Sequence, residues 1–216
     1  MLTLHTADLL VPAASAEPVP HGAVLVDGDR IAGLGPYEDL AAAYPHARTR
    51  RWPGLLTPGL VAHGVRALLE ETYYPDGRTE AELGTEPLRG AALAALGPLS
   101  EARRGHSARR GTQKLLARGV VAVTGELTVA SVRTAVARSG LVLAGPGSAS
   151  ASSGEPSPDP FAGCSAAAEA YYGGLGVGAP ARFAAFAVAD EAELLAEGAT
   201  TCVATVVDGR LLHRRR

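Results

Sequence analysis

Five polar side chains share one kind of position, at or just beyond the ends of predicted strands: His63, Arg66, Thr124, Glu126 and Ser148. The carboxyl ends of parallel strands meet at one edge of a sheet, so we expect these side chains to lie close together. An arginine there can bind a carboxylate or phosphate, and His63 with Glu126 provides proton-transfer capacity. The spacing therefore predicts a small site that accepts an anionic metabolite.

The same residues also allow a purely structural interpretation. His63 is then a hydrogen-bonded side chain without chemistry, and Glu126 is a charge near the start of a helix, where the helix dipole favours a carboxylate. Both interpretations stay open on the sequence alone.

The elements that would position these side chains alternate through the middle of the chain. Apolar runs and helical periodicity predict, in chain order, a strand at Leu55–Val61, a helix at Glu101–Arg118, a strand at Val120–Thr124, a helix at Thr128–Ser139 and a strand at Leu141–Ala144. Gly119 and Gly140 stand where the two helices end. This order predicts parallel strands of one sheet joined by right-handed crossovers.

The two ends of the chain predict a different unit. Ala23–Ile31 and Ala204–Leu212 are β-branched runs interrupted by Asp-Gly, a dipeptide that favours tight hairpin turns. An isolated hairpin is only marginally stable in water. We therefore expect both hairpins to share a sheet with the strand-like Leu2–Leu10, in a small sandwich built from both termini.

Composition places the chain among ordinary globular proteins, with 216 residues, 47% of them hydrophobic, and a net charge of −2. No apolar run reaches the roughly 18 residues of a membrane helix, and the N-terminus lacks the features of a secretion signal. We expect a cytoplasmic protein without a membrane partner. The charge balance predicts no nucleic-acid binding, and the arginines of 103–110 are interpreted as a solvated helix face.

Two further features concern flexibility and thiols. Residues 145–163 are dominated by Gly, Pro, Ser and Ala, a composition that predicts a flexible loop. Cys164 and Cys202 lie far apart without metal-ligand spacing, which predicts free thiols.

The segment 55–66, LLTPGLVAHGVR, resembles the first barrel strand of the metal-dependent amidohydrolases, in particular their imidazolonepropionase and aminofutalosine deaminase branch. Further stretches are similar to the same superfamily: residues 26–36, 109–120, 178–183 and 204–212. The aspartate that the family carries in the third of these stretches is Arg182 here. The resemblance implies a sandwich built from both termini around a barrel, and hydrolysis of carbon–nitrogen bonds at a metal.

A full barrel does not fit the chain. Such a barrel takes at least about 200 residues, whereas Thr57 to Arg182 has room for about four units of roughly 30 residues. We therefore predict an α/β protein with a composite β-sandwich formed by both termini, residues 1–56 and 182–216, plus a truncated, partial TIM-barrel-like βα portion, residues 57–181. The open sheet edges of a partial barrel predict a homodimer or a partner subunit.

The metal that the resemblance implies also lacks ligands. The family holds it with His-x-His in the first strand, but His63 is followed by Val65 or Arg66 in the second position. Only His106 among the other histidines falls in the barrel-like part, and a catalytic zinc takes about three protein ligands. We predict no metal and no cofactor.

Two functions follow from these observations. The first is that of a degenerate amidohydrolase-like protein without a metal site, acting as a small-molecule binding protein or partner subunit. The alternative is a remaining hydrolase of carbon–nitrogen bonds, similar to imidazolonepropionase or a deaminase.

Overall fold

The computed structural model describes residues 2–145 and 157–215. The strands are Leu2–Thr6 (β1), Leu9–Leu10 (β2), Val19–Pro20 (β3), Gly22–Asp27 (β4), Arg30–Pro36 (β5), Arg48–Arg51 (β6), Leu55–Pro58 (β7), Leu60–Ala62 (β8), Thr72–Tyr73 (β9), Leu88–Arg89 (β10), Val120–Thr124 (β11), Val142–Ala144 (β12), Phe183–Phe186 (β13), Cys202–Val207 (β14) and Arg210–Arg214 (β15). The α-helices are Tyr37–Ala43 (α1), Val65–Leu69 (α2), Gly90–Ala94 (α3), Glu101–Leu116 (α4), Ala130–Ser139 (α5) and Glu191–Glu197 (α6). Short 3-10 helices occupy Ala81–Leu83, Ala167–Ala170 and Ala199–Thr201.

The first predicted hairpin lies in a four-stranded sheet of order β5-β4-β1-β6. β4 and β5 are antiparallel with Asp27 opposite Arg30, so Gly28 and Asp29 form the turn. Gly28 adopts the positive φ, 59°, that the turn needs. The side chains of α1 pack on one face of this sheet, where Leu40 contacts a cluster that contains the buried Leu4 and Leu25.

The second hairpin, β14 with β15, lies in a six-stranded sheet of order β15-β14-β13-β7-β2-β3. The prediction that both hairpins share one sheet is therefore wrong. They meet instead at their turns, where a side chain on Gly209 would collide with the carbonyl oxygen of Gly28. The N-terminal segment divides in the same way, because β1 joins the first sheet and β2 the second.

The central strands β7 and β13 of the six-stranded sheet are buried on both faces. Leu55 and Phe186 belong to the cluster that also contains residues of α4 and α5, whereas Leu56 and Phe183 belong to the cluster shared with the four-stranded sheet. Side chains alternate between the faces of a strand. A strand covered on both sides therefore needs apolar residues at every position, as the Phe-Ala-Ala-Phe sequence of β13 shows.

The middle of the chain forms a three-stranded parallel sheet of order β12-β11-β8. α5 connects β11 to β12, and α4 precedes β11, as the sequence predicts. Both helices contribute buried residues to the larger hydrophobic cluster, among them Leu115 and Val132.

The predicted strand Leu55–Val61 is divided between two sheets. β7 pairs with β13 in the six-stranded sheet, and β8 pairs with β11 in the parallel sheet. At the break, the Gly59 amide donates to the carbonyl oxygen of Arg182 at 3.1 Å, and the Gly59 carbonyl accepts from the Tyr172 amide at 2.7 Å. The expectation that the whole segment lies in the parallel sheet holds for β8 only.

The two long helices begin and end close to the predicted bounds. The side chain of Ser100 caps α4 by accepting a hydrogen bond from the Arg103 amide at 3.2 Å. α5 begins at Ala130, two residues later than predicted, because Thr128 donates both its amide and its hydroxyl to the carboxylate of Glu70.

The flexible loop predicted for 145–163 falls mainly on residues 146–156, which lie outside the described residues. At its end, the ring of Phe161 is buried and packs edge-on against Phe186, with 6.4 Å between ring centroids. Phe161 therefore belongs to the packed core, whereas the flexibility of the remaining segment stays a prediction.

A mixed α/β fold with several sheets is thus confirmed. Among the described helices, none combines the length and apolarity required to cross a membrane.

Candidate functional site

The carboxyl ends of β8 and β11 bring two predicted site residues together. His63 follows β8 and Thr124 ends β11, and Nδ1 of His63 lies 2.8 Å from Oγ1 of Thr124. A hydroxyl next to an imidazole is part of a nucleophile–base arrangement. The described contacts of His63 include no third group that would orient the imidazole.

Arg66 is engaged by two acidic side chains that directly follow its helix. Its Nε lies 3.0 Å from Oε1 of Glu71 and 3.9 Å from Oε2 of Glu70, and the arginine side chain is 60% exposed. An anionic ligand at Arg66 would therefore have to compete with Glu71 for the guanidinium.

The other two predicted residues are not joined to this pair. Glu126 is exposed, and the contacts described for the chain do not link it to His63. Ser148 lies outside the described residues. A common site for all five side chains remains a prediction.

Glu70 has a structural role at this edge that the sequence analysis did not predict. Its carboxylate accepts hydrogen bonds from the Thr128 amide at 2.6 Å, the Thr128 hydroxyl at 2.9 Å and the Val129 amide at 2.7 Å. The side chain is only 5% exposed. It satisfies free amides at the start of α5 and places a negative charge where the helix dipole favours it.

The metal that the family resemblance implies does not fit these residues. Val65, in the second position of the expected His-x-His pair, is a fully buried hydrocarbon side chain, and the guanidinium of Arg66 has no lone pair to donate. Nδ1 of His63 is engaged with a hydroxyl. Across residues 2–145 and 157–215, no three His, Cys, Asp or Glu side chains are grouped so that they could hold a metal ion.

His5 is a buried histidine in β1 of the four-stranded sheet. Its Nδ1 accepts a hydrogen bond from Nε1 of Trp52 at 3.1 Å, and its ring packs edge-on against Phe183. Burial, assisted by the charge of Arg50, lowers the pKa of His5 to about 3. This histidine is therefore neutral at pH 7 and belongs to the core.

The basic face of α4 has a structural role that the sequence analysis missed. Arg103 Nη2 lies 2.6 Å from Oε1 of Glu80, and Arg110 Nη1 lies 3.5 Å from Oδ2 of Asp76. Desolvation opposes ionisation of Glu80, but hydrogen bonds from the Tyr73 hydroxyl and Arg103 outweigh it and lower the pKa to about 2. Arg103 is nevertheless 41% exposed, so these two arginines combine contact with solvent and ion pairs that connect α4 to the segment 73–80.

Comparison with known proteins finds one family model that is similar to a short part of this chain. Residues 22–47, which contain the first hairpin and α1, match the model of the imidazolonepropionase-like composite domain of bacteria. A comparison with curated proteins by sequence finds no match.

Solved structures of amidohydrolase-type enzymes are similar to this chain over part of their length. They include ochratoxinase of A. niger (23% identity, TM-score 0.45, 68% of this chain and 32% of that one), aminofutalosine deaminase of Helicobacter pylori (15%, 0.44, 67% and 33%) and guanine deaminase of E. coli (15%, 0.45, 67% and 35%). The chain thus spans about a third of the length of these structures. The family model over residues 22–47 confirms the predicted resemblance to the imidazolonepropionase-like composite domain.

Proposed function

We propose that this chain is an amidohydrolase-like protein that acts without a metal centre, by binding a small molecule or a partner rather than by hydrolysis. In this proposal, residues 1–56 and 182–216 form the composite β-sandwich of the family, and residues 57–181 form a shortened βα portion. The hydrophobic cluster shared by the four-stranded and six-stranded sheets supports the first part. The parallel sheet β12-β11-β8 supports the second.

One observation carries the proposal, namely the side chains at the tip of β8. The family chemistry needs a pair of imidazoles there, and the chain offers one imidazole, engaged with Thr124, beside a buried valine. Residues that cannot hold a metal leave the site without the Lewis acid that would polarise a carbonyl or activate water. The alternative, a hydrolase of carbon–nitrogen bonds, requires ligands from residues that do not converge on His63 in the described part of the chain.

The direct test measures bound metal and activity on the same preparation. Protein purified without chelators is analysed for zinc, iron and manganese, and it is then assayed for deamination of amino-nucleosides and for opening of cyclic amides before and after metal addition. We expect substoichiometric metal and no turnover above the background of a His63→Ala variant. About one equivalent of metal, with activity that a chelator removes, would instead establish the hydrolase.

We further propose that the partner is a second copy of the chain. Among the described strands, β12 stands at the edge of the parallel sheet, and Leu143 on it is 48% exposed. Exposed edge strands pair readily with another chain. Light scattering at several concentrations should give twice the 22.0 kDa mass of one chain, and Leu143→Lys should shift it towards the monomer. A monomer at all concentrations would contradict this part of the proposal.

A further inference from the structure

A groove of about 750 Å³ runs between α4 and α5 and reaches Leu212 of β15. Its volume lies within the range of roughly 300 to 1,000 Å³ that is common for small-molecule sites. The lining combines apolar residues with polar side chains, among them His106, Gln113 and Thr134. This groove is formed by the helices and does not include His63 or Thr124.

Each wall of the groove contributes an arginine without an ionic partner. Arg109 on α4 and Arg138 on α5 both line it and are both exposed. Within the residues that the structure describes, neither guanidinium forms an ion pair, in contrast to Arg103 and Arg110 of the same basic region. Glu101, at the start of α4, is the acidic residue on the lining. The groove therefore carries an excess of positive charge.

Ser131 supplies a second polar group that lacks a partner. Its Oγ is shielded from solvent and has no hydrogen-bond partner among the described residues. Unsatisfied buried hydroxyls are uncommon, and a missing water or ligand is one of their ordinary explanations. Ser131 is itself one of the residues that line the groove. Gly105 faces Ser131 across the helix crossing, so that no α4 side chain fills this part of the groove.

We infer that the groove between α4 and α5 binds a small organic anion with at least two acidic groups, one held by Arg109 and one by Arg138. Guanidinium forms paired hydrogen bonds with carboxylate or phosphate oxygens, which suits both classes of acid. Ser131 contributes a hydroxyl to a polar atom of the same ligand. The inference rests on the proposed binding function, and it moves the anion site away from Arg66, whose charge Glu71 already compensates.

Calorimetric titration with citrate and with pyrophosphate tests this site and separates carboxylate from phosphate recognition. Acetate, with a single acidic group, is the reference. We expect at least one of the two probes to bind with one site per chain, more tightly than acetate and more weakly at high salt. Arg109→Gln and Arg138→Gln should each weaken binding about fivefold, and the double variant about twentyfold.

Two variants distinguish a site from general charge attraction. Lys114→Gln removes one positive charge from an exposed position of α4 outside the groove and should leave the affinity within about twofold. Ser131→Ala should weaken binding about threefold without lowering the unfolding temperature, because the hydroxyl has no partner to lose in the free protein.

Absence of binding for both probes, or equal weakening by Lys114→Gln and the groove variants, would overturn this inference. The metal analysis described above tests the proposed function separately, so that a failure of the groove site and a failure of the proposed function can be distinguished. Circular dichroism of each variant verifies that the fold is unchanged.

Discussion

Replacement of Gly59 by alanine should destabilise the protein strongly, because the new methyl group has no space. An added Cβ would lie 2.5 Å from Cγ2 and 2.9 Å from Cβ of Val121, whereas contacting carbon atoms lie about 3.5 to 4.0 Å apart. Val121 is fully buried in β11, the central strand of the parallel sheet. Overpacking costs about 1 to 3 kcal/mol, and this contact belongs at the upper end, about 3 kcal/mol.

A double-mutant cycle with Val121→Ala isolates the clash. Val121→Ala alone removes two buried carbon atoms and should cost about 2 kcal/mol. If the two effects were independent, the double variant would lose about 5 kcal/mol. If alanine at position 59 occupies the space that Val121 vacates, the double variant should lose only about 2 kcal/mol.

Urea unfolding followed by the fluorescence of Trp52, the single tryptophan, measures these free energies. Gly77→Ala is the matched control, since Gly77 is exposed and an added Cβ there meets no atom within 4 Å. Its effect should stay within about 0.5 kcal/mol. Additive losses in the cycle, or equal stability of Gly59→Ala and Gly77→Ala, would refute the steric reasoning.

Three other predictions concern single side chains. Glu70→Ala should lower the free energy of unfolding by about 2 kcal/mol, because the Thr128 and Val129 amides lose their acceptor. Glu71→Ala is the control and should change the free energy of unfolding by less than about 0.5 kcal/mol. Equal effects of the two substitutions in urea unfolding would contradict the capping role of Glu70. The folded pKa of His5, about 3, lies below its ordinary value of 6.5, so its contribution to stability is complete above pH 6.5 and is lost as the pH falls towards 3. As the pH falls across this window, the free energy of unfolding of the wild type should therefore decrease by up to about 1.4 kcal/mol per pH unit more than that of His5→Gln. If the free energies of unfolding of the two proteins depend on pH in the same way, His5 is not a neutral buried histidine. Burial raises the pKa of the Cys202 thiol to about 11. In a Cys164→Ser variant, Cys202 is the remaining thiol, and it should react with a thiol reagent only when the protein unfolds. Rapid reaction of the folded variant would show that Cys202 is accessible.

Local patterns predicted much of the fold. Asp-Gly turns identify both hairpins, and apolar spacing identifies α4, α5, β11 and β12 within a few residues. Such signals act between neighbours in sequence. The division of Leu55–Val61 depends instead on contacts of Gly59 with Val121 and Tyr172, which no local pattern contains.

The candidate site was predictable in part: the sequence predicted one of its contacts, and the others depend on how distant segments pack. The rule that strand ends converge predicted that His63 and Thr124 would meet, and they are hydrogen-bonded. The engagement of Arg66 with Glu71 follows from the short helix α2, which was not predicted. The capping role of Glu70 joins residues 58 positions apart, and the groove of Arg109 and Arg138 requires knowledge of how two helices pack.

The most direct test of the central claim is a calorimetric titration of wild-type protein and His63→Ala with Zn²⁺. Because the residues around His63 do not supply the three or so ligands of a catalytic zinc site, we predict that the two titrations are indistinguishable. Tight binding of one Zn²⁺ per chain that His63→Ala abolishes would contradict the account and establish a metal centre at the end of β8.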